Sequence, residues 1–290
     1  MGLPEPPELG AAALPKGSFD GHTVVVTGGG TGLGKAIAVE FARLGAAVAI
    51  LSRGAEHRAA GVAAIDAVGA RALEVACDVR QPEQIAAAFD RVEAELGLPS
   101  TLVNNAAGNF PVPAEDLSPN GWRSVVDIVL NGSFLCAREF ARRHIAARTP
   151  GSIVNIGASY AWTGGPGFAH SAAAKAGVKS MTETLAVEWA PYGIRINCLV
   201  PGLMPHEDEA RHIVDGVPGR GRQEDLRQPA GRVGRPRELA WAATFLASPY
   251  ASYITGCTLA VDGANWQRRA MLQPEFVPIR EQLGKGPFQS

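Results

Sequence analysis

Short apolar runs rich in β-branched residues recur along the chain, and stretches with helical spacing separate them. The runs are Thr23–Thr27 (TVVVT), Ala46–Leu51, Arg71–Val75, Thr101–Val103, Ser152–Ile156, Gly193–Val200 and Cys257–Val261. A run without polar alternation predicts a strand buried on both faces, as in a parallel sheet covered by helices. Between the runs, Lys35–Leu44, Gln84–Leu96 and Arg237–Ala247 read as helices. Ile85, Phe89, Val92 and Leu96 fall on one face of the second of these. Ser118 predicts an N-cap with Pro119 in the first helical position. A long apolar stretch, Val125–Ile145, follows, and a later helix, Ala174–Trp189, carries Lys175 at its start. The alternation predicts an α/β fold: a single-domain, Rossmann-type, doubly wound parallel sheet with helices on both faces.

No linker divides the 290 residues. Residues 19–264 are expected to form the domain. Residues 1–18, broken by Pro4, Pro6, Pro7 and Pro15, are expected to be a flexible, extended arm. The tail, residues 265–290, mixes Trp266, Met271, Phe276 and Phe288 with charges, which predicts packing on the domain or on a neighbouring subunit. Leu203–Gln228 is polar and rich in Gly, Pro and charge, as expected of a mobile lid over a substrate.

Composition narrows the function classes. The net charge is −1 with both signs scattered, so no nucleic-acid surface or polybasic membrane patch is expected. No apolar run approaches the roughly 20 residues of a membrane helix. The N-terminus lacks the basic start and long apolar core of a signal peptide. Cys77, Cys136, Cys198 and Cys257 lie far apart in apolar contexts without metal-ligand spacing. They read as small buried hydrophobes, with no metal site and a cytoplasmic location expected.

The first chemistry lies after the first strand. Thr27-Gly28-Gly29-Gly30-Thr31-Gly32-Leu33-Gly34 leads into a helix, and a strand, a Gly-rich turn and a helix N-terminus make a phosphate cradle. The spacing is neither GxGxxG nor a P-loop. The second strand ends in Ser52-Arg53 with no acid for a ribose 2′-OH. Arg53 suits a 2′-phosphate through its planar fork, the alternative being a solvated loop arginine. Asp78 stands where an acceptor would meet an adenine amino group. Asn104-Asn105-Ala106-Ala107-Gly108-Asn109-Phe110 follows the fourth strand, at the sheet edge where ligands bind. Asn131, amid Ile128, Val129, Leu130 and Phe134, is either a satisfied core residue or part of an active-site network.

At TGGGTGLG, CDV (Cys77–Val79), NNAAG and the Lys175 helix, the chain resembles the short-chain dehydrogenases/reductases, over roughly Phe19–Gly263. In most of that family a Tyr stands four residues before the Lys and a Ser thirteen before that Tyr. Those positions hold Ser171 and Ala158, while Tyr160 stands fifteen residues before Lys175. Within the family, NNAAGNF, Leu117-Ser118-Pro119-Asn120, DIVLNG (Asp127–Gly132) and the Tyr160/Lys175 spacing are similar to the 2,4-dienoyl-CoA reductases. After Pro201-Gly202, where the family usually has a Thr against the nicotinamide amide, the chain reads Leu203-Met204-Pro205-His206.

The resemblance implies NADP(H), held by Gly28, Thr31, Gly32, Leu33, Gly34, Ser52, Arg53, Asp78, Val79, Asn105, Ala106, Ala107, Lys175, Pro201, Gly202 and Leu203. It implies hydride transfer to a conjugated enoyl or dienoyl thioester, with Tyr160 and Asn109 donating to the thioester oxygen. Lys175 would hold the ribose, Ser171 would relay a proton or orient Lys175, and Asn131 would join the catalytic network. Arg80, Phe110 and Ser118 match positions that contact an acyl-CoA substrate. A homotetramer is implied as well. On the residues alone, Tyr160 is otherwise a loop aromatic, Ser171 a helix cap and Lys175 a solvated helix lysine. Two other functions stay open: a reductase of another carbonyl or conjugated metabolite, and a non-catalytic NADP-binding subunit.

Overall fold

The computed structural model describes residues 2–206, 228–267 and 278–285. Strands β1 (Thr23–Thr27), β2 (Ala47–Ser52), β3 (Ala72–Ala76), β4 (Thr101–Asn104), β5 (Gly151–Ile156), β6 (Ile194–Pro201) and β7 (Thr258–Val261) form one sheet, in the order β3-β2-β1-β4-β5-β6-β7. Every pairing is parallel. The helices are α1 (Gly32–Arg43), α2 (Ala55–Asp66), α3 (Pro82–Leu96), α4 (Pro119–Val126), α5 (Gly132–Ala147), α6 (Tyr160–Thr163), α7 (Ala169–Trp189), α8 (Pro236–Ala247) and α9 (Ile279–Gln282). This is the doubly wound sheet that the apolar runs predict, with strand ends shifted by a residue or so.

Alternation inside β1 explains why its run is unbroken. Val24 and Val26 pack with Ile37, Phe41 and Leu239 on the face covered by α1 and α8. Val25 packs with Phe89, Val92 and Phe140 on the face covered by α3 and α5. Both faces are dry, so both must be apolar. Phe19 and Phe41 meet edge to face at 4.9 Å in the first core, and truncating such a buried ring costs about 3–5 kcal/mol.

Three elements depart from expectation. α2, AEHRAAGVAAID, buries only Gly61 and Ile65, and so little apolar contrast leaves no helical stripe to read. The stretch Val125–Ile145 is helical but not regular: a π-helical turn, Asp127–Asn131, lies between α4 and α5. The N-terminal residues are not a loose arm but a strap along α8. Leu3 N donates to Ala230 O at 2.7 Å, and Arg235 pairs with Glu5 at 3.0 Å. Arg232, Arg237 and Trp241 donate to the carbonyls of Pro4, Pro7 and Ala11. Proline-rich backbone is already extended, so its carbonyls are available to a row of donors at little entropic cost.

Most of the expected lid, residues 207–227, and residues 268–277 of the tail lie outside the described residues. Among the described residues no helix is long and apolar enough to cross a membrane. None of their His, Cys, Asp and Glu form a group of three or more able to hold a metal ion.

Candidate active site

Sheet order reverses direction between β1 and β4, and ligands of open α/β sheets bind at the carboxyl ends of strands beside such a point. A cavity of about 690 Å³ opens there, lined by Gly28, Thr31, Gly32, Leu33, Gly34, Ser52, Arg53, Asp78, Val79, Asn105, Ala106 and Ala107. The turn under it is locked by hydrogen bonds. Thr27 Oγ1 accepts from the backbone N–H of Asn105 and Ala106, both at 3.0 Å. Asn105 Nδ2 donates to the carbonyls of Thr27 and Gly28, both at 3.1 Å. Space is tight: a Cβ on Gly34 would meet Asn105 Nδ2 at 2.3 Å and Gly28 O at 2.4 Å, and Gly32 has φ +53°. Thr31, the N-cap of α1, supplies no side-chain cap. A helix start in that condition, under a glycine cradle, suits a pyrophosphate, so these residues fit a dinucleotide.

Arg53 is exposed at the cavity, and its guanidinium makes no hydrogen bond or ion pair with the described residues. Asp78 lines the cavity and is also engaged within the protein. Arg80 grips its carboxylate through Nε at 2.9 and 3.1 Å and a terminal nitrogen at 2.5 Å. Those bonds hold the Asp78 carboxyl below its ordinary range.

The second half of the site sits on α6 and α7. Tyr160 opens α6, and its hydroxyl lies 2.9 Å from Ser171 Oγ. Ser171 and Lys175 are one turn apart on the buried face of α7. The Tyr160 phenol therefore reaches the spot from which residue 171 would otherwise project its own side chain. Burial raises the Tyr160 pKa, and the Ser171 hydrogen bond works against that rise. The phenol is thus a neutral donor at neutral pH. Lys175, 7% exposed, donates to Ile156 O at 2.5 Å. Burial pulls its ammonium down to about 8.

Asn109 sits on the loop after β4, where its Oδ1 accepts from the Phe110 N–H at 3.1 Å. Its side-chain NH₂ has no partner among the described residues. Val112 N, two residues after Phe110, donates to Gly167 O at 2.8 Å, and Phe110 stands edge-on to His170 at 4.6 Å. The Asn109 and Tyr160 loops are thereby joined. Beneath them, Asn104 Nδ2 donates to Asn155 Oδ1 and Asn155 Nδ2 to Thr182 Oγ1, both at 2.9 Å. This buried chain ties β4, β5 and α7 into one platform.

Some expected residues lie elsewhere. Asn131 faces solvent at the end of the π turn and donates to Asp127 at 2.8 Å. It shares a separate cavity with Arg80, Asp127 and Phe134, so neither Asn131 nor Arg80 is brought to the Tyr160–Ser171 pair. The extra residue of the π turn shifts the helical frame and turns the amide outward. Ser118 caps α4, accepting from Gly121 N at 3.0 Å, and Phe110 packs beside it at Gly121. Gly202 and Leu203 line a different cavity with Leu3 and Glu238, and Pro201 ends β6.

Two histidines were not singled out by sequence. His206 lines the dinucleotide cavity, its ring so close over Gly32 that an added Cβ would meet Cε1 at 2.8 Å. Nothing in the sequence pattern marks it, since a family comparison at this point looks to a hydroxyl residue after Pro201-Gly202. His170 is fully buried beside Ser171, accepting from the Ser171 N–H at 2.8 Å. Burial lowers its pKa, partly offset by the backbone of Phe168 and Phe110, which keeps the ring neutral.

Residues 28–264 match a family model described as enoyl-(acyl carrier protein) reductase. A probable 2,4-dienoyl-CoA reductase of Bacillus subtilis is 41% identical over 244 residues, 84% of this chain and 96% of that protein. The peroxisomal 2,4-dienoyl-CoA reductase of Rattus norvegicus is 40% identical over 246 residues, 83% of this chain and 82% of that one. A crystal structure of a short-chain dehydrogenase from Bacillus anthracis superposes with a TM-score of 0.77 at 41% identity, covering 84% of this chain and 96% of its own.

Proposed function

Because this chain belongs to the short-chain dehydrogenase/reductase family and is an oxidoreductase, we propose that it is an NADPH-dependent reductase of conjugated enoyl or dienoyl thioesters. The observation that carries this reading is the Tyr160–Ser171 contact. It supports a proton-bearing donor at the head of α7 even though position 171 is not a tyrosine.

The Gly28–Gly34 cradle would hold the pyrophosphate, Arg53 the 2′-phosphate and Lys175 the nicotinamide ribose. When bound, the cofactor supplies a hydride to the distal carbon of the conjugated system. Negative charge then develops on the thioester oxygen. Tyr160 and the Asn109 amide donate to that oxygen, and each fixed donor of this kind is worth about 2.7–4 kcal/mol. A dienolate needs donors at oxygen and a proton at carbon; it does not need a phenol placed to protonate a ketone. That difference accounts for Ala158 and Ser171 standing where a ketoreductase carries Ser and Tyr. Ser171 orients the Tyr160 hydroxyl. Phe110 and Ser118 flank the acyl-CoA side. The family likeness suggests a tetramer, and the four free cysteines fit a reducing cytoplasm.

The test is direct: mix the protein with NADPH and a 2,4-dienoyl-CoA and follow the loss of nicotinamide absorbance. Turnover supports the reading. Turnover on ketones with none on dienoyl or enoyl thioesters overturns it.

A further inference from the structure

The two loops that carry Tyr160 and Asn109 share a third neighbour, the C-terminal segment. Arg280 of α9, 18% exposed in its side chain, forms ion pairs with Glu115 at 3.2 Å and with Asp116. Lys285 pairs with Asp116 at 3.0 Å. These acids lie on the Asn109 loop, just before α4. The apolar side of the same segment meets the other loop. A Cβ on Gly167 would touch Ile279 at 3.4 Å and Leu283 at 4.0 Å. Nearer the start of the tail, the rings of Trp266 and Trp162 lie 4.9 Å apart at a 32° tilt, and Trp162 is two residues from Tyr160 on α6. One end of the chain therefore bonds by charge to the loop of one donor and by apolar contact to the loop of the other.

Such a bridge has a physical purpose. A donor acts on developing charge only if its geometry is fixed beforehand. Loops are the mobile parts of a fold, and among the described residues the Val112–Gly167 backbone bond and the Phe110–His170 ring contact are modest links between these two. Arg280 is largely covered while its acids lie at the surface, so the strength of the contact comes from several charges joined in one network rather than from a single pair. We propose that the C-terminal segment 279–285 is a clamp, with Arg280 as its positioning residue, which fixes the Asn109 and Tyr160 loops relative to each other. The role in turnover rests on the thioester-reductase reading; the clamp itself does not.

The test uses the full-length protein and the variants Arg280→Glu, Asp116→Arg and the charge-swapped double variant Arg280→Glu/Asp116→Arg. Backbone hydrogen exchange is measured in residues 109–116 and 158–168, together with NADPH affinity and with kcat and KM on a 2,4-dienoyl-CoA. Expected is at least tenfold faster exchange in both segments for Arg280→Glu, with unchanged exchange in β1, β4 and β5. NADPH affinity stays within twofold, kcat falls about tenfold, and the double variant regains part of the loss, since Glu115 and Lys285 still face like charges. Unchanged exchange in either loop overturns the clamp. Faster exchange with unaltered kcat overturns its positioning role. Should the unmodified protein fail to reduce the dienoyl-CoA, the function reading falls, and exchange with its rescue alone decides the clamp.

Discussion

The Tyr160 hydroxyl and Ser171 Oγ lie 2.9 Å apart, which joins a residue of the short helix α6 to the helix that carries Lys175. Ser171 orients the donor and touches no reacting atom in the proposed mechanism. Ser171→Ala removes a neutral hydrogen bond of about 1 kcal/mol. A fall in kcat of roughly three- to tenfold is expected, with KM for the thioester little changed. A loss as large as that from removing the tyrosine hydroxyl would make Ser171 the donor instead.

Arg53 faces the dinucleotide cavity, and its guanidinium makes no hydrogen bond or ion pair with the described residues, although its charge is felt at Asp78. If it holds a 2′-phosphate, Arg53→Asp removes a charge-assisted contact worth about 1.5–3 kcal/mol. NADPH affinity, measured by fluorescence titration, is then expected to fall roughly ten- to a hundredfold. NADH affinity is expected to hold or improve. Equal losses for both cofactors would contradict the assignment.

Lys175 titrates near 8 because burial opposes its charge. Its ammonium, the form that donates most strongly to ribose oxygens, is lost as pH rises through that value. NADPH affinity should therefore decline from pH 7 to pH 9.5, and Lys175→Met should bind weakly with a flat profile. Stability without cofactor moves the other way. An unfolded chain keeps this proton up to the ordinary lysine value of about 10.4. Between about pH 8 and that value the unfolded state binds more protons, so the contribution of Lys175 to stability rises with pH. The Tm difference, Lys175→Met minus wild type, is expected to fall from pH 7 to pH 10; a constant difference would refute the lowered pKa.

Asn155 is fully buried and bonded to both Asn104 and Thr182. Asn155→Ala leaves polar groups of the platform unsatisfied, at about 1–3 kcal/mol. For a chain of this size each kcal/mol lowers Tm by about 2–4 °C. An unchanged Tm would show that Asn104 and Thr182 find other partners.

The sheet and the glycine cradle were legible in the sequence because both are local. Parallel strands buried on two faces read as apolar runs, and a tight strand–helix turn reads as glycines. What stayed hidden depends on distance or on a shifted frame. α2 has no apolar stripe to read. The π turn redirects Asn131 without leaving a mark in the hydrophobic pattern. The strap at the N-terminus is held by Arg232, Arg235 and Arg237, more than two hundred residues away in sequence. His206 reaches the cavity through the fold of the backbone after β6, which no spacing rule for hydroxyl residues would reveal. Tyr160 was legible only through its distance from Lys175; that its hydroxyl arrives at Ser171 is a fact of three dimensions.

In the proposed mechanism the Tyr160 hydroxyl stabilises negative charge on a thioester oxygen. Tyr160→Phe deletes that hydroxyl and leaves the ring, so single-turnover reduction of a 2,4-dienoyl-CoA by bound NADPH measures its worth directly. The expected result is a rate lower by about 10²–10³, with NADPH affinity unchanged. A rate within threefold of wild type on the same thioester would contradict the claim.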